Sequence, residues 1–278
     1  MRTRVVGVHT VDNGSSPDEL GLDLSAFSRF KHGAVAPAWR IAGEILDRLV
    51  AVVPDAVYAE PLVVTGSCYK YLPLASVTLA RSLAHLLNRR RATAVVSPVT
   101  QTQLYRERLI EGDYSTMSLA ERERFIGQDV IRVDSEVVAG ATVVVVDDVR
   151  ITGFHEGRIA AVLADAAVAA VTFAYWAVVD GRSDPTLEKR LNTAEIADLD
   201  SLQRLVTAGD FELNSRVCKL ILSAPAELAG FLSRLPFAVL GEIVAAMECN
   251  GYASMPTYRP AYDMMRSRLD SRTPVEAS

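Results

Sequence analysis

Residues 141–156 read ATVVVVDDVRITGFHE, and this stretch constrains the chain more than any other. Val143, Val144, Val145 and Val146 are β-branched and uncharged, which suits a strand buried on both faces of a parallel sheet. Two carboxylates, Asp147 and Asp148, stand at the strand's carboxyl end. A short turn with Thr152 and Gly153 follows, and residues 157–170 continue with alanine-rich helical spacing, which makes a strand, a loop and a helix. In an open α/β sheet, ligands sit outside the carboxyl ends of strands, and a loop entering a helix offers free N–H groups and a positive dipole to a phosphate. The adjacent acids repel anions but accept hydrogen bonds from sugar hydroxyls. A site for a phosphate carried on a polyhydroxylated ring needs this combination, although the same residues also fit a plain strand end with a solvated turn.

With 278 residues and 50% hydrophobic content, the chain can bury a substantial core, as one large domain or one domain with an appended lobe. A formal net charge of -5 argues against a general nucleic-acid binder, whose phosphate contacts require a basic surface. Cys68, Cys218 and Cys249 are odd in number and far apart, which fits a reduced cytoplasm better than zinc or a disulfide framework. The start, MRTRVVGVHT, lacks the apolar core of a signal peptide. The longest mostly apolar run, residues 166–179, falls short of the roughly 18 residues of a membrane span. It reads as a helix end running into a strand.

Along the chain, a polar, turn-rich DNGSSPDE precedes LDLSAFSRFKHG, where Ser28, Arg29, Lys31 and His32 cluster beside Phe27 and Phe30. A short basic loop of this kind reads as solvated surface, with contact to an anionic ligand as the alternative. From Pro37, helical spacing of Trp39, Ile41, Ala42, Ile45, Leu46 and Leu49 predicts a helix against the sheet. Residues 56–65 form a strand, GSCYKYLPLAS a loop, and residues 77–87 a helix. Residues 92–99 read as the next strand, with Arg89, Arg90 and Arg91 complementing the dipole at the end of the preceding helix. Residues 100–129 are a long polar insertion of the kind used as a lid, with Ser118 and Glu121 as a capping box for a helix over 119–126. Residues 171–179 are another strand, in which Tyr175 and Trp176 read as core ahead of a stacking platform. Residues 217–223 read as a last strand and 225–247 as helical. The tail clusters Tyr252, Tyr258, Arg259, Tyr262 and Arg266.

An apolar strand, two acids, a short linker and Thr-Gly before a helix resembles the phosphoribosyl pyrophosphate (PRPP) motif of the type I phosphoribosyltransferases. The resemblance covers residues 56–180, and the layout is similar to the ComF-like branch. It implies an α/β fold: a twisted, mostly parallel five-stranded sheet flanked by helices, with a hood from the chain ends. Residues 1–278 are then a single domain, with a core of about 35–225, a hood from 1–34 and 226–278, and residues 100–129 as the lid. It further implies that Asp147 and Asp148 hold the ribose 2- and 3-hydroxyls. Val149, Arg150, Ile151, Thr152, Gly153, Phe154 and His155 wrap the 5-phosphate. Gly66, Ser67, Cys68, Tyr69 and Lys70 receive the pyrophosphate, and Arg106, Arg108 and Tyr114 reach across the closed lid. Ile151 and His155 depart from the family pattern, which has a hydroxyl residue before Thr-Gly and a Thr or Ser after it. Cys68 reads as a small loop residue before a nucleophile, since spacing identifies no partner histidine beyond His85 on the following helix.

The activity implied is transfer of phosphoribosyl from PRPP to an acceptor, with release of pyrophosphate and inversion at C1. Asp147, Asp148 and Lys70 are the catalytic residues in this reading. Magnesium is the cofactor, met by Asp147 and Asp148 indirectly, through PRPP and water. The partners are PRPP and a small-molecule acceptor, with neither nucleic acid nor membrane, in a cytoplasmic protein compatible with a homodimer. The alternatives are a non-catalytic PRPP or nucleotide sensor or regulator on the same fold, and cleavage of a phosphorylated nucleoside in the reverse or hydrolytic direction. The acceptor and any general base stay unassigned.

Overall fold

The computed structural model describes residues 1–12, 22–107, 130–180 and 187–271. In the amino-terminal half, β1 (Arg2–Asp12) is followed by α1 (Leu24–Lys31), α2 (Val35–Val52), α3 (Pro54–Val57), β2 (Leu62–Thr65) and α4 (Ala75–Thr93). Then come short β3 (Thr100–Gln101), β4 (Tyr105–Arg106) and β5 (Ile131–Arg132), α5 (Ser135–Val138), β6 (Thr142–Arg150), α6 (Phe154–Asp165) and β7 (Ala170–Asp180). The rest is helical: α7 (Leu187–Thr193), α8 (Leu199–Thr207), α9 (Ser215–Leu222), α10 (Pro225–Arg234), α11 (Phe237–Cys249) and α12 (Arg259–Asp270).

Five strands form one parallel sheet in the order β1-β7-β6-β2-β3, with the valine strand at its centre. Alternation on a pleated strand sends Val144 and Val146 into a core with α2 and α4, and Val143 and Val145 into a second core with Ile159 and Leu163 of α6. Each buried valine contributes roughly 1.5–2 kcal/mol of burial energy. Both faces are covered, so the sheet has the form expected from the sequence. No helix among the described residues is long and apolar enough to cross a membrane.

Several segments differ from expectation. Of residues 56–65, expected as one strand, 56–57 end α3 and only Leu62–Thr65 pair in the sheet. Residues 2–12, expected in a hood, lie in the sheet as β1, paired with β7 from Arg2↔Ala170 to Asp12↔Asp180. Residues 92–99 are not a strand: α4 runs to Thr93, and the chain then folds back around Arg91, whose carbonyl accepts from Val96 N–H at 3.1 Å. The sheet partner is the two-residue β3 that follows. Residues 217–223 lie in α9, because Asn214 caps it and Val217, Cys218, Ile221 and Leu222 recur at helical spacing on a buried face. The run 225–247 breaks at Leu235–Pro236 into α10 and α11. α8 to α12 enclose a third core containing Leu202, Ile221, Phe231, Met247 and Met265. The helix expected over 119–126 lies outside the described residues.

Arg91 does more than complement a helix dipole. Its side chain is fully buried and donates to the carbonyls of Ser97 at 2.6 Å, Val57 at 2.6 Å and Ala59 at 3.0 Å. It ties the turn after α4 to the approach to β2. Arg91→Ala leaves three carbonyls without their donor and is expected to lower stability by roughly 3 kcal/mol in urea unfolding, whereas Arg89→Ala changes it by less than about 0.5 kcal/mol.

Candidate active site

The acid pair stands where β6 leaves the sheet. Asp147 pairs across the ladder with Tyr175 of β7, and it opens on a cavity while lying deep in the protein. One of its oxygens accepts from the Asp148 N–H at 2.9 Å, and the other accepts from Ser67 Oγ. Asp148, 7% exposed, accepts from the Val149 N–H at 2.8 Å and from Lys31 Nζ at 2.6 Å. Burial, and then the Asp148 charge, push the Asp147 carboxyl up to about 7, with Lys31 and Ser67 pulling the other way. Lys31 therefore belongs to the site and not to solvated surface. α1 is held in place by Ser28 Oγ, which donates to the Asn192 carbonyl at 2.7 Å.

After the acids, Arg150 Nε donates to Glu156 at 2.7 Å, and the Tyr175 hydroxyl donates to the same Glu156 oxygen at 3.3 Å. This contact closes the loop 150–156 on itself at the first turn of α6, where an acid suits the helix dipole. Gly153 precedes the helix at φ +71°, a backbone conformation that favours glycine, and a Cβ there would displace the Arg150 guanidinium, 2.6 Å away. Trp176, by contrast, is core: it stacks on Phe27 at 4.9 Å and donates to Glu44 at 2.8 Å.

The second loop, 66–70, follows β2. Gly66 passes so close to α4 that a Cβ would lie 2.7 Å from the Ser76 carbonyl oxygen, and the Ser67 N–H donates to Ser76 Oγ at 3.1 Å. Tyr69 N–H donates to Leu104 O at 3.1 Å and Arg106 N–H to Tyr69 O at 2.9 Å, so β4 runs beside this loop. Lys70 Nζ stands 5.6 Å above the Tyr71 ring.

The two loops also meet directly. Cys68 Sγ lies 3.2 Å from His155 Nε2, and the Arg106 guanidinium approaches the same imidazole at 3.4 Å. Burial, with the neighbouring Arg106 charge behind it, pushes His155 down to about 3, so the ring is neutral at pH 7. Cys68 thus has a histidine partner, and it is not His85, which packs edge-on against Trp39 at 5.1 Å. Residues 87 apart in sequence gave no local signal for this contact.

One cavity of about 620 Å3 takes its walls from both loops, the acid pair and the helical lobe. Of the residues expected here, Ser67, Cys68, Tyr69, Lys70, Arg106, Asp147, Asp148, Val149, Arg150, Ile151, Thr152, Gly153 and His155 line it. Gly66 shapes the loop from behind, Phe154 is exposed, and neither lines the cavity. Arg108 and Tyr114 lie outside the described residues.

Comparison with known proteins places this chain in a family. A search of curated proteins finds no match. Among solved structures, a hypoxanthine phosphoribosyltransferase from Staphylococcus aureus is 16% identical, with 52% of this chain and 67% of that chain covered and a TM-score of 0.34. The hypoxanthine phosphoribosyltransferase of Trypanosoma cruzi, complexed with the product IMP, is 15% identical, with 53% and 75% covered and a TM-score of 0.33. The family model described as PRTase ComF-like matches residues 3–263, almost the whole described chain, and the protein therefore belongs to the ComF-like phosphoribosyltransferase family.

Proposed function

We propose that the protein transfers the 5-phosphoribosyl group of PRPP to an acceptor nucleophile, with release of pyrophosphate and inversion at C1. The observation that carries this reading is the convergence of an acid pair and two loops, 66–70 and 150–155, on one cavity. The ribose hydroxyls take the places that Ser67 and Lys31 fill on Asp147 and Asp148. The 5-phosphate lies against the backbone of residues 150–155 and the Thr152 hydroxyl at the start of α6. The pyrophosphate lies along residues 66–70, where Lys70 and Arg106 stabilise charge that grows as the C1–O bond breaks. Among the described residues Cys68, Cys218 and Cys249 form no disulfide, which suits a reducing cytoplasm.

Two adjacent carboxylates fit a hard cation, and among the described residues no group of three His, Cys, Asp or Glu is arranged to hold a metal by itself. Asp147 and Asp148 would therefore meet magnesium indirectly, through PRPP oxygens and water. When bound, the ion neutralises charge on the pyrophosphate. The rest falls to the chain: the acids orient the ribose, and the loops hold its two phosphorylated ends apart.

A second reading, a PRPP sensor without turnover, is favoured by Ile151 and by the neutral, buried His155 in the 5-phosphate loop. The two readings separate on pyrophosphate release.

Calorimetric titration of PRPP is expected to show magnesium-dependent binding that Asp147→Asn with Asp148→Asn weakens at least tenfold. If PRPP does not bind the parent, the proposed function fails. The pH dependence follows from the carboxyl at about 7. In the unliganded protein, Asp147 holds its proton up to higher pH than in the unfolded chain. Its contribution therefore makes stability fall as pH rises from about 4 to about 7 and level off above. Hydroxyl recognition needs the ionised form, so PRPP affinity is expected to rise about tenfold between pH 6 and pH 8. Asp147→Asn should remove that rise and leave only the titration of the ligand's own phosphates.

A further inference from the structure

Arg150 ends β6, Glu156 lies in the first turn of α6, and Tyr175 belongs to β7, yet all three side chains meet on the wall of the cavity. Arg150 Nε donates to Glu156 Oε2 at 2.7 Å, and the Tyr175 hydroxyl donates to the same oxygen at 3.3 Å. The Arg150 and Glu156 side chains are 29% and 14% exposed, so the pair is sheltered and water screens it less than a surface pair. Tyr175 also stands opposite Asp147 in the sheet register. The place of Glu156, and through it that of the guanidinium, is therefore set relative to the acid pair.

The other side of the guanidinium lies over Gly153. A Cβ on that glycine would stand 2.6 Å from Nη2 and 3.1 Å from Cζ, so the bare backbone is what admits the cation to the turn that opens α6. Gly157 N–H makes its bond back to the Gly153 carbonyl at 3.1 Å, and the N–H groups just before it belong to the unsatisfied helix start. A guanidinium carries more N–H donors than one carboxylate oxygen takes. An arginine kept on Glu156 through Nε can thus turn its Nη edge to a second anion without leaving the first, which a lysine ammonium, with no planar fork, does not do in a fixed orientation. The neighbouring side chains leave this task to it: Ile151 is apolar, Phe154 is exposed and does not line the cavity, and Thr152 brings one neutral hydroxyl.

We infer that Glu156 and Tyr175 are positioning residues, which hold the Arg150 guanidinium over Gly153 as the fixed cation for the 5-phosphate, and that the Arg150–Glu156 pair stays closed when the phosphate binds. The inference rests on the phosphoribosyl transfer proposed above. The charge of Glu156 opposes the phosphate, and its contribution is orientation. An arginine already seated loses little side-chain freedom when the ligand arrives.

The test is calorimetric titration of the full chain with PRPP and magnesium, and separately with ribose 5-phosphate, which carries no pyrophosphate. Arg150→Gln should weaken both ligands at least tenfold. Glu156→Gln should weaken ribose 5-phosphate about threefold or more in the parent, yet change it by less than about twofold when Arg150→Gln is already present. Arg150→Lys, which keeps the charge and loses the fork, should not restore the parent affinity. If the single variants, each left with one sheltered charge, melt early, two others carry the test. Tyr175→Phe keeps both charges and should weaken ribose 5-phosphate about threefold, and the double variant removes both and should weaken it at least tenfold. Unchanged affinity in Arg150→Gln or in the double variant overturns the inference. So does a Glu156→Gln effect that is absent, or equal in both backgrounds, which makes the pair structural only. Tighter binding in Glu156→Gln overturns it as well, because Glu156 then competes for the guanidinium. In each of these cases PRPP binding by the parent leaves phosphoribosyl transfer standing, whereas a parent that binds no PRPP removes both readings.

Discussion

Two adjacent carboxylates at the end of a strand buried on both faces repel each other and lose most of their water, and the surrounding structure is arranged to compensate them. Asp148 draws the ammonium of Lys31, Asp147 draws the hydroxyl of Ser67, and each acid also accepts from the next residue's backbone N–H. The two side-chain contacts reach into two other parts of the chain. Lys31 ends α1, which is fastened to α7 through Ser28 and to the start of α9 through Asn214. Ser67 belongs to the loop after β2, which is fastened to α4 and β4. The positions of the amino-terminal helix, the first loop and the helical lobe all refer back to this charge pair.

The loop after the acids solves a different problem with its own side chains. Arg150 and Glu156 close it as an ion pair, Gly153 turns it in a left-handed conformation that favours glycine, and the neutral imidazole of His155 meets the thiol of Cys68. The result is a loop whose turn is held by its own side chains. A phosphate there would meet backbone N–H groups and the Thr152 hydroxyl at a helix start, with the Arg106 charge nearby.

How much of this was legible in the sequence depended on whether the signal was local. The β6–α6 unit could be read because β-branched residues, paired acids and a glycine before a helix each carry a short-range physical meaning. The sheet followed from repeated strand–loop–helix units. The strand expected over 92–99 was misread because a short apolar run there has no period to arbitrate, and the fold is decided by a buried Arg91 that binds three carbonyls. In α9, VCKLIL looks like a strand until its burial pattern, and Asn214 before it, are weighed as helix signals. The basic cluster around Lys31 could be read, but its pairing with Asp148 and the Cys68–His155 contact had no sequence signal, since partners so far apart are brought together only by the finished topology.

Among the described residues the sheet order puts β1 at an edge beside β7, register running from Arg2↔Ala170 to Asp12↔Asp180. During synthesis the first strand leaves the ribosome long before its partner exists. At about 5–20 residues per second it waits on the order of ten seconds or more with its hydrogen-bonding groups unmatched. Pairing then closes a loop that contains the rest of the sheet, which is a late and entropically slow event. The central strands and their covering helices can assemble before β1 is seated beside them.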